Sequence, residues 1–516
     1  MERKTDKGTD VVFKFLKKLG YNLCVSLHAI VLFILFPIFL LLFLPMWLTR
    51  QSVKLLAKVI RPDLCEMVTC GTSTCANANG TEDNPRMVTL VELLFRDQLD
   101  FEQVVREFNS RAVEKVDNEG SMVYPKLKQR LTSWLGIWFW TKDDTFDIKK
   151  HITCSTLNKD FVTEQDLRLV EEQLLSKPFT KRASPWEMLV VPNTRLSPDS
   201  SHRHHSCPDF SPAFLTTTII FRISHILADG YSVKKLLEAV STGKACPKLK
   251  INYPSKSLFQ KFVFPFKFYF TMAEVQILSM MNFPFKTRDV EKSKVDSLQS
   301  SDVIPIETIR GIKERYGVSF TSVLISIATG TFRKLAIKNG TELTEWMPCA
   351  IPLPKPGHPD GLTNHFTLAV MPLPIGIENP VQRLRICHRE LLNLRSSAYP
   401  ASAACFMTVF GSFFNKVGEI IGINTFSAVN ISYLPSGLEN ISFLGVDIIG
   451  QTFCMRVQKG SIGAVIAISS YKDRIQMHAT VDTNVVPKEI MTDFETIIKQ
   501  EVAGLKELNG HNYRDV

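Results

Sequence analysis

The sequence predicts an α/β protein of two lobes preceded by one transmembrane segment. Three observations lead there: a length of 516 residues, an apolar run without charge at residues 23–48, and a chain that alternates strand-like and helix-like stretches from Arg86 onward. A chain this long exceeds one ordinary domain and suffices for two sizeable cores.

Composition narrows the class. The chain is 45% hydrophobic with 35 phenylalanines, yet 22% of its residues are charged, which excludes a polytopic membrane protein. The net charge of +10 is scattered in small clusters such as Lys17-Lys18 and Lys234-Lys235. Without an arginine-rich tract or a nucleic-acid motif, that charge points to an anionic membrane surface or an anionic small substrate, and not to nucleic acid. The 11 cysteines are odd in number and spread along the chain, which argues for a reducing compartment rather than a disulfide framework. Sequons at Asn79, Asn339, Asn430 and Asn440 weigh lightly against this.

The run at 23–48, "LCVSLHAIVLFILFPIFLLLFLPMWL", exceeds the roughly 20 apolar residues that cross a bilayer. It lacks the shorter apolar core and small-residue cleavage site of a signal peptide, so it is expected to remain as an anchor behind a basic tail at 1–22. Pro37 and Pro45 leave a kinked span and a re-entrant hairpin both open. Lys14, Lys17 and Lys18 on one side nearly balance Arg50, Lys54, Lys58 and Arg61 on the other, so charge does not set the orientation. Residues 49–85, with the polar stretch "CGTSTCANANGTEDNP", read as a linker. Its Cys65, Cys70 and Cys75 fit linker cysteines or juxtamembrane palmitoylation better than a zinc site.

In the first lobe, 86–257, "DLRLVEEQLLSKPF" places Leu167, Val170, Leu174 and Leu175 on one helical face. "AFLTTTIIFRI" is β-branched and aromatic, as a buried strand requires. "SVKKLLEAV" puts Val233, Leu236, Leu237 and Val240 on the packed face of a helix. A phenylalanine-rich crossover at 258–300 reads either as core or as a surface segment dipping into lipid, with Lys261, Lys267 and Lys286 beside its rings. The second lobe, 301–516, repeats the mixture: a buried helix in "SFTSVLISIATGTFRKLAI", strands in "FTLAVMPLPI" and "GAVIAISSY", and a closing amphipathic helix.

Between the strand and helix around residue 225 lies "RISHILADGYS". A histidine at a strand end can present a neutral imidazole to a cavity, with an ordinary pKa of about 6.5 suited to taking a proton. This makes His225 the candidate general base. Asp229 is expected to brace the loop, and Gly230 to supply a backbone angle closed to other residues. No Gly-x-Ser-x-Gly elbow signals a covalent nucleophile, and no phosphate loop or zinc-protease pattern occurs. "HRHHSC" at 202–207 sits in a Ser/Pro/Asp-rich loop, where a metal site is the less favoured reading.

The His-x-x-x-Asp-Gly element resembles the active-site signature of chloramphenicol acetyltransferase-like acyltransferases, and the chain more closely resembles the wax ester synthase/diacylglycerol acyltransferase family. Ser184-Pro185-Trp186-Glu187 stands where that family has Pro-Leu-Trp-Glu. Thr321-Ser322 opens the helix usually begun by Asn-Asp. Asn364 and the helix start Asn379-Pro380...Arg383-Leu384 lie in a similar second-lobe segment, and Asn430 remains in place of the Asn-Val-Pro-Gly-Pro strand. The likeness runs in order over roughly residues 86–510; Ser224 replaces the first of the family's two adjacent histidines.

The resemblance implies two acetyltransferase-like lobes around a central channel, acyl-CoA as substrate and no cofactor or metal. His225 would activate the hydroxyl of a fatty alcohol or diacylglycerol, with Asn430 and Ser432 as oxyanion donors. Because acyl-CoA is cytosolic, the lobes would face the cytosol, most simply from the endoplasmic reticulum, with the plasma membrane or a lipid droplet as alternatives. The competing readings are a non-catalytic lipid-binding or lipid-transfer protein on the same shell, and transfer to a small polar acceptor.

Overall fold

The computed structural model describes residues 7–157, 159–195, 215–243, 257–287, 292–294, 296–397, 399–421, 423–435 and 441–507. The histidine-rich 202–207 run and Asn440 lie outside them, as does the side chain of Lys261.

The chain begins with one helix, Lys7–Ile60, that carries Pro37 and Pro45 inside it without reversing. The hairpin alternative is therefore not what forms. At about 1.5 Å per residue the helix is roughly 80 Å long, far beyond the 30 Å of a bilayer core, so the 23–48 run is the middle of a longer rod. Leu23, Leu27, Ile30, Ile34, Ile38 and Leu41 are exposed along it. The end of the rod docks on the body: Val53 and Ala57 pack with Leu64, Ile137 and Phe139, and buried Arg50 donates from Nη2 to the Val68 carbonyl at 2.6 Å.

The stretch expected to be a linker folds instead. Leu64–Met67 adds a strand beside Ile137–Lys142, and Cys70–Asn77 forms a helix capped by Thr69. Thr72, Ser73, Cys75, Ala76 and Asn77 are buried in it. Small polar residues suit a linker, but they also suit a helix pressed closely between larger elements, and packing decided between the two.

Two sheets form the lobes. The first runs in the order Ser442–Phe443, Val446–Met455, Val88–Phe95, Thr216–Ser224, Trp186–Thr194 and Ile152–Cys154. Thr216–Ser224 is buried at every residue and pairs antiparallel on both sides, which accounts for its uninterrupted β-branched composition. The second runs Asp296–Ser300, Arg474–Asp482, Ala464–Tyr471, Val429–Pro435, Met347–Pro354 and Phe366–Leu373. The lobe boundaries expected from sequence thus need two corrections. The strand Val446–Met455 leaves the second lobe to pair with Val88–Phe95 of the first, and the expected crossover ends in Asp296–Ser300, an edge strand of the second sheet.

Charges buried at this junction fasten the lobes. Asp296 lies 3.2 Å from Arg86 and 3.3 Å from Arg456, all three side chains at 2% exposure or less. Such groups persist inside a protein only when paired.

The phenylalanine-rich segment forms the helix Leu258–Met280, which runs antiparallel to the N-terminal helix. Tyr269 and Ala273 pack on Val25 and Ala29, and Phe33 meets Phe266 and Tyr269 at 5.5 and 5.4 Å. One face is thus covered, while Leu258, Phe259, Phe266, Phe270 and Met280 remain exposed. Among the described residues two helical stretches are long and apolar enough to cross a membrane: Leu19–Ile38 and Phe320–Lys338. The latter is largely buried in the second lobe and is a core helix.

Candidate active site

The buried strand Thr216–Ser224 ends where Ser224 turns the chain: its carbonyl accepts from Leu227 N–H at 2.9 Å and its hydroxyl from Ile226 N–H at 3.3 Å. Ser224 is 1% exposed, so the position before the histidine serves the turn. His225 follows with its backbone N–H on the Met87 carbonyl at 2.6 Å and its ring edge-on to Phe366 at 5.3 Å.

The ring is oriented from the second lobe. His225 Nδ1 lies 3.0 Å from Asn364 Oδ1. The Asn364 amide nitrogen donates to the His225 carbonyl at 2.8 Å, the Ile226 carbonyl at 3.2 Å and Thr72 Oγ1 at 3.3 Å. With the nitrogen committed to carbonyls, the amide oxygen must be what faces the ring, and an oxygen there requires a proton on Nδ1. In the neutral ring, Nε2 then keeps its lone pair. Asn364 was visible in sequence as part of a motif, but nothing in its neighbours signalled that it sets a tautomer.

Asp229 ends the same loop. It caps the helix Gly230–Val240 by accepting from Ser232 N–H at 2.9 Å. It also accepts from His365 N–H at 2.8 Å and faces His358 Nε2, 3.0 Å from each carboxylate oxygen. Burial alone would push the Asp229 carboxyl up, but the His358 hydrogen bond and charge, with the two backbone N–H groups, hold it below its ordinary value. Asp229, expected to brace the loop, thus meets residues of both lobes, among them His358, which went unnoticed in the sequence.

Gly230 departs from expectation. Its φ is not in the left-handed region; it is the first helical residue, and a Cβ there would sit 3.0 Å from Leu434 Cδ1 of the facing lobe. No backbone angle therefore calls for glycine, and a Cβ there would press on the Leu434 side chain.

Asn430 and Ser432 come from Val429–Pro435, a strand flanked by parallel neighbours in the second sheet. Both line the same cavity of about 370 Å³ as His225, together with Thr321, Lys234 and Arg395. Asn430 is 1% exposed, and the amide atom without a hydrogen-bond partner among the described residues is Oδ1, an acceptor, so a donor role toward an oxyanion would fall to Nδ2. Ser184-Pro185-Trp186-Glu187 lies away from this cavity: Trp186 is fully buried, donates to the Leu127 carbonyl at 2.9 Å and stacks on His151 at 4.5 Å.

A second cavity of about 450 Å³ adjoins the first, and Met87, Phe366, Leu368 and Gln458 line both. Its far wall is apolar, made by Met272 and Val275 of the 258–280 helix and by Ala403, Phe406 and Phe410 of the helix Tyr399–Phe410. Cys75 also lines it, whereas Cys65 is exposed and Cys70 meets Ser412 Oγ at 3.2 Å, so these three cysteines occupy separate surroundings.

Two α/β lobes sharing a strand, with His-x-x-x-Asp-Gly at the inner end of a buried strand, define the condensation-domain and chloramphenicol acetyltransferase-like acyltransferase fold. Solved structures agree. A wax ester synthase/diacylglycerol acyltransferase from Marinobacter aquaeolei VT8 superposes with TM-score 0.57 at 12% identity, covering 86% of this chain and 99% of that one. The trichothecene 15-O-acetyltransferase of Fusarium sporotrichioides gives 0.57 at 10% identity, covering 85% and 95%. The starter condensation domain of rhizomide synthetase, solved with C8-CoA, gives 0.55 at 10%, covering 87% and 96%.

Residues 362–500 match the family model described as the WS/DGAT C-terminal domain. A protein of Mycobacterium tuberculosis, named as a diacylglycerol O-acyltransferase, is 22% identical over 200 residues, 35% of this chain and 41% of its own length. The chain thus aligns with about two fifths of that relative. Residues 362–500 thus carry a likeness to the wax ester synthase/diacylglycerol acyltransferase family, and the chain as a whole shares the fold of its solved member.

Proposed function

We propose that the protein is a membrane-anchored, acyl-CoA-dependent O-acyltransferase that esterifies a lipid alcohol. The observation that carries the reading is the His225–Asn364 contact, which orients the ring of a residue lining the cavity between the lobes so that, in the neutral ring, Nε2 is the basic nitrogen. Nε2 takes the hydroxyl proton as the acceptor oxygen attacks the thioester carbonyl. The tetrahedral oxyanion is stabilised by Asn430 and Ser432, each such donor being worth about 2.7–4 kcal/mol. Collapse breaks the C–S bond, and the departing CoA thiolate takes the proton back from Nε2. Ester and free CoA result, His225 is regenerated, and the chemistry draws on no resident cofactor.

Acyl-CoA occupies the 370 Å³ cavity, where Lys234 and Arg395 offer positive charge, and the acceptor occupies the apolar 450 Å³ chamber. That chamber is walled by the 258–280 helix, whose Tyr269 and Ala273 pack on the N-terminal apolar rod. A lipid acceptor therefore enters from the bilayer side, with the lobes on the cytosolic face of the endoplasmic reticulum. A linear fatty alcohol makes the smaller steric demand and is favoured slightly over diacylglycerol.

Membranes holding the protein, given labelled palmitoyl-CoA with hexadecanol or diacylglycerol separately, test the reading. Labelled wax ester or triacylglycerol is expected. Esters from short, water-soluble acceptors alone would overturn the lipid assignment, and no ester from any acceptor would favour a lipid-binding protein.

A further inference from the structure

The partner that Asp229 finds across the lobe boundary is a histidine, and both nitrogens of that histidine face acceptors. His358 Nε2 is 3.0 Å from each Asp229 oxygen, and Nδ1 is 2.7 Å from the Pro359 carbonyl. Neither a carboxylate nor a carbonyl can donate, so each ring nitrogen carries a hydrogen and the ring is an imidazolium. The side chains of both residues are 8% exposed. Around this pair the loops are joined by backbone as well: Asp229 N–H donates to the Thr363 carbonyl at 3.0 Å, and Ser232 Oγ to the same carbonyl at 3.0 Å. Asn364, which orients His225, is the next residue.

We propose that His358, held as an imidazolium, is a positioning residue that fastens the His225–Asp229 loop to the second-lobe segment 358–365, so that Asn364 meets His225; loss of its proton loosens that register. The structural part stands on the geometry alone, and the kinetic part rests on the acyltransferase reading.

The surrounding groups are consistent with a charged ring. Asp360 adds negative charge, Tyr231 lies against the ring at 4.5 Å, and His365 meets it edge-on at 5.4 Å while its own Nε2 is engaged by the Pro356 carbonyl. On the first-lobe helix Lys235 is paired with Glu238 at 2.8 Å, and Lys234 lines the same cavity as His358. Burial works against the charge on His358, but the Asp229 hydrogen bond and carboxylate, the Pro359 carbonyl and Asp360 outweigh it and raise the pKa above the ordinary value. A raised folded pKa means that the stabilisation is complete below the unfolded value of about 6.5 and is lost as pH rises through the folded value.

Full-length protein and the variants H358Q and H358R are compared at matched pH from about 6 to about 9, reading hydrogen exchange of residues 225–232, thermal unfolding and kcat. H358Q is expected to exchange faster in 225–232 and to melt lower at the acid end, with the gap from wild type closing as pH rises. Its kcat should fall by about 10- to 100-fold at the acid end, the cost of a misplaced base. Because arginine keeps its charge throughout, H358R should lack the alkaline decline of kcat that the proposal expects of the wild type. Equal exchange in wild type and H358Q at low pH, or a gap that does not change with pH, would overturn the proposal even if H358R fails to fold. Exchange that responds as expected in a protein making no ester would sustain the latch and reject the acyltransferase reading.

Discussion

Asn364 Oδ1 sits 3.0 Å from His225 Nδ1, although the two are 139 residues apart and lie in different lobes. The contact makes the orientation of the proposed base a shared property of both halves of the molecule. Asn364→Leu is expected to lower kcat by about 100-fold with little change in the KM for acyl-CoA, because the ring loses its orientation while the cavity persists. A change confined to KM would assign Asn364 to binding instead.

His225→Ala should remove the whole contribution of the base, about 100- to 10,000-fold in rate. Since the ring lines the cavity instead of filling the core, expression and the unfolding temperature should hold. Near-full activity in this variant, measured with palmitoyl-CoA and hexadecanol, would refute the mechanism.

Asp229→Asn keeps a cap for the Gly230–Val240 helix but loses the charge that meets His358. A hydrogen bond to a charged group is worth about 1.5–3 kcal/mol, and stability should drop by that order together with activity. The depressed carboxyl pKa sets the direction of the pH effect. Its stabilisation is present above the unfolded value of about 3.9 and fades as pH falls through the lower folded value. Denaturant titrations of wild type and D229N should therefore converge under strong acid, and a defect in rate without loss of stability would contradict the brace.

Ala403 is 6% exposed on the wall of the 450 Å³ chamber. Ala403→Trp should fill part of that space at a cost of about 1–3 kcal/mol, raising the KM for a long-chain alcohol by about 5- to 150-fold. The KM for acyl-CoA should not move. If the two constants respond in the opposite way, the assignment of the cavities is reversed.

Removing residues 1–45 deletes most of the exposed rod while sparing Arg50 and its bond to Val68. Membrane binding should weaken without vanishing, because Phe259, Phe266 and Phe270 remain exposed and the cut bares Tyr269 and Ala273. Adding serine at those three phenylalanines should release the truncated protein in a vesicle flotation assay. Full release by truncation alone would show that the 258–280 helix contributes no lipid contact.

What the sequence determined by itself was local. The apolar run at 23–48 and the strand ending at Ser224 show in unbroken composition, and the packed face of Gly230–Val240 repeats with the helical period, so a short window suffices to read them. The His225–Asp229 spacing belongs to that class too, since one loop carries both. Tertiary structure decided the rest. No periodicity records that Asn364 and His358 reach the loop from the other lobe, that Val446–Met455 leaves its own sheet for Val88–Phe95, or that Cys70–Asn77 is a buried helix rather than a tether. Each of these depends on a partner far along the chain, and the residues that meet there have neighbours in sequence that carry no trace of the meeting.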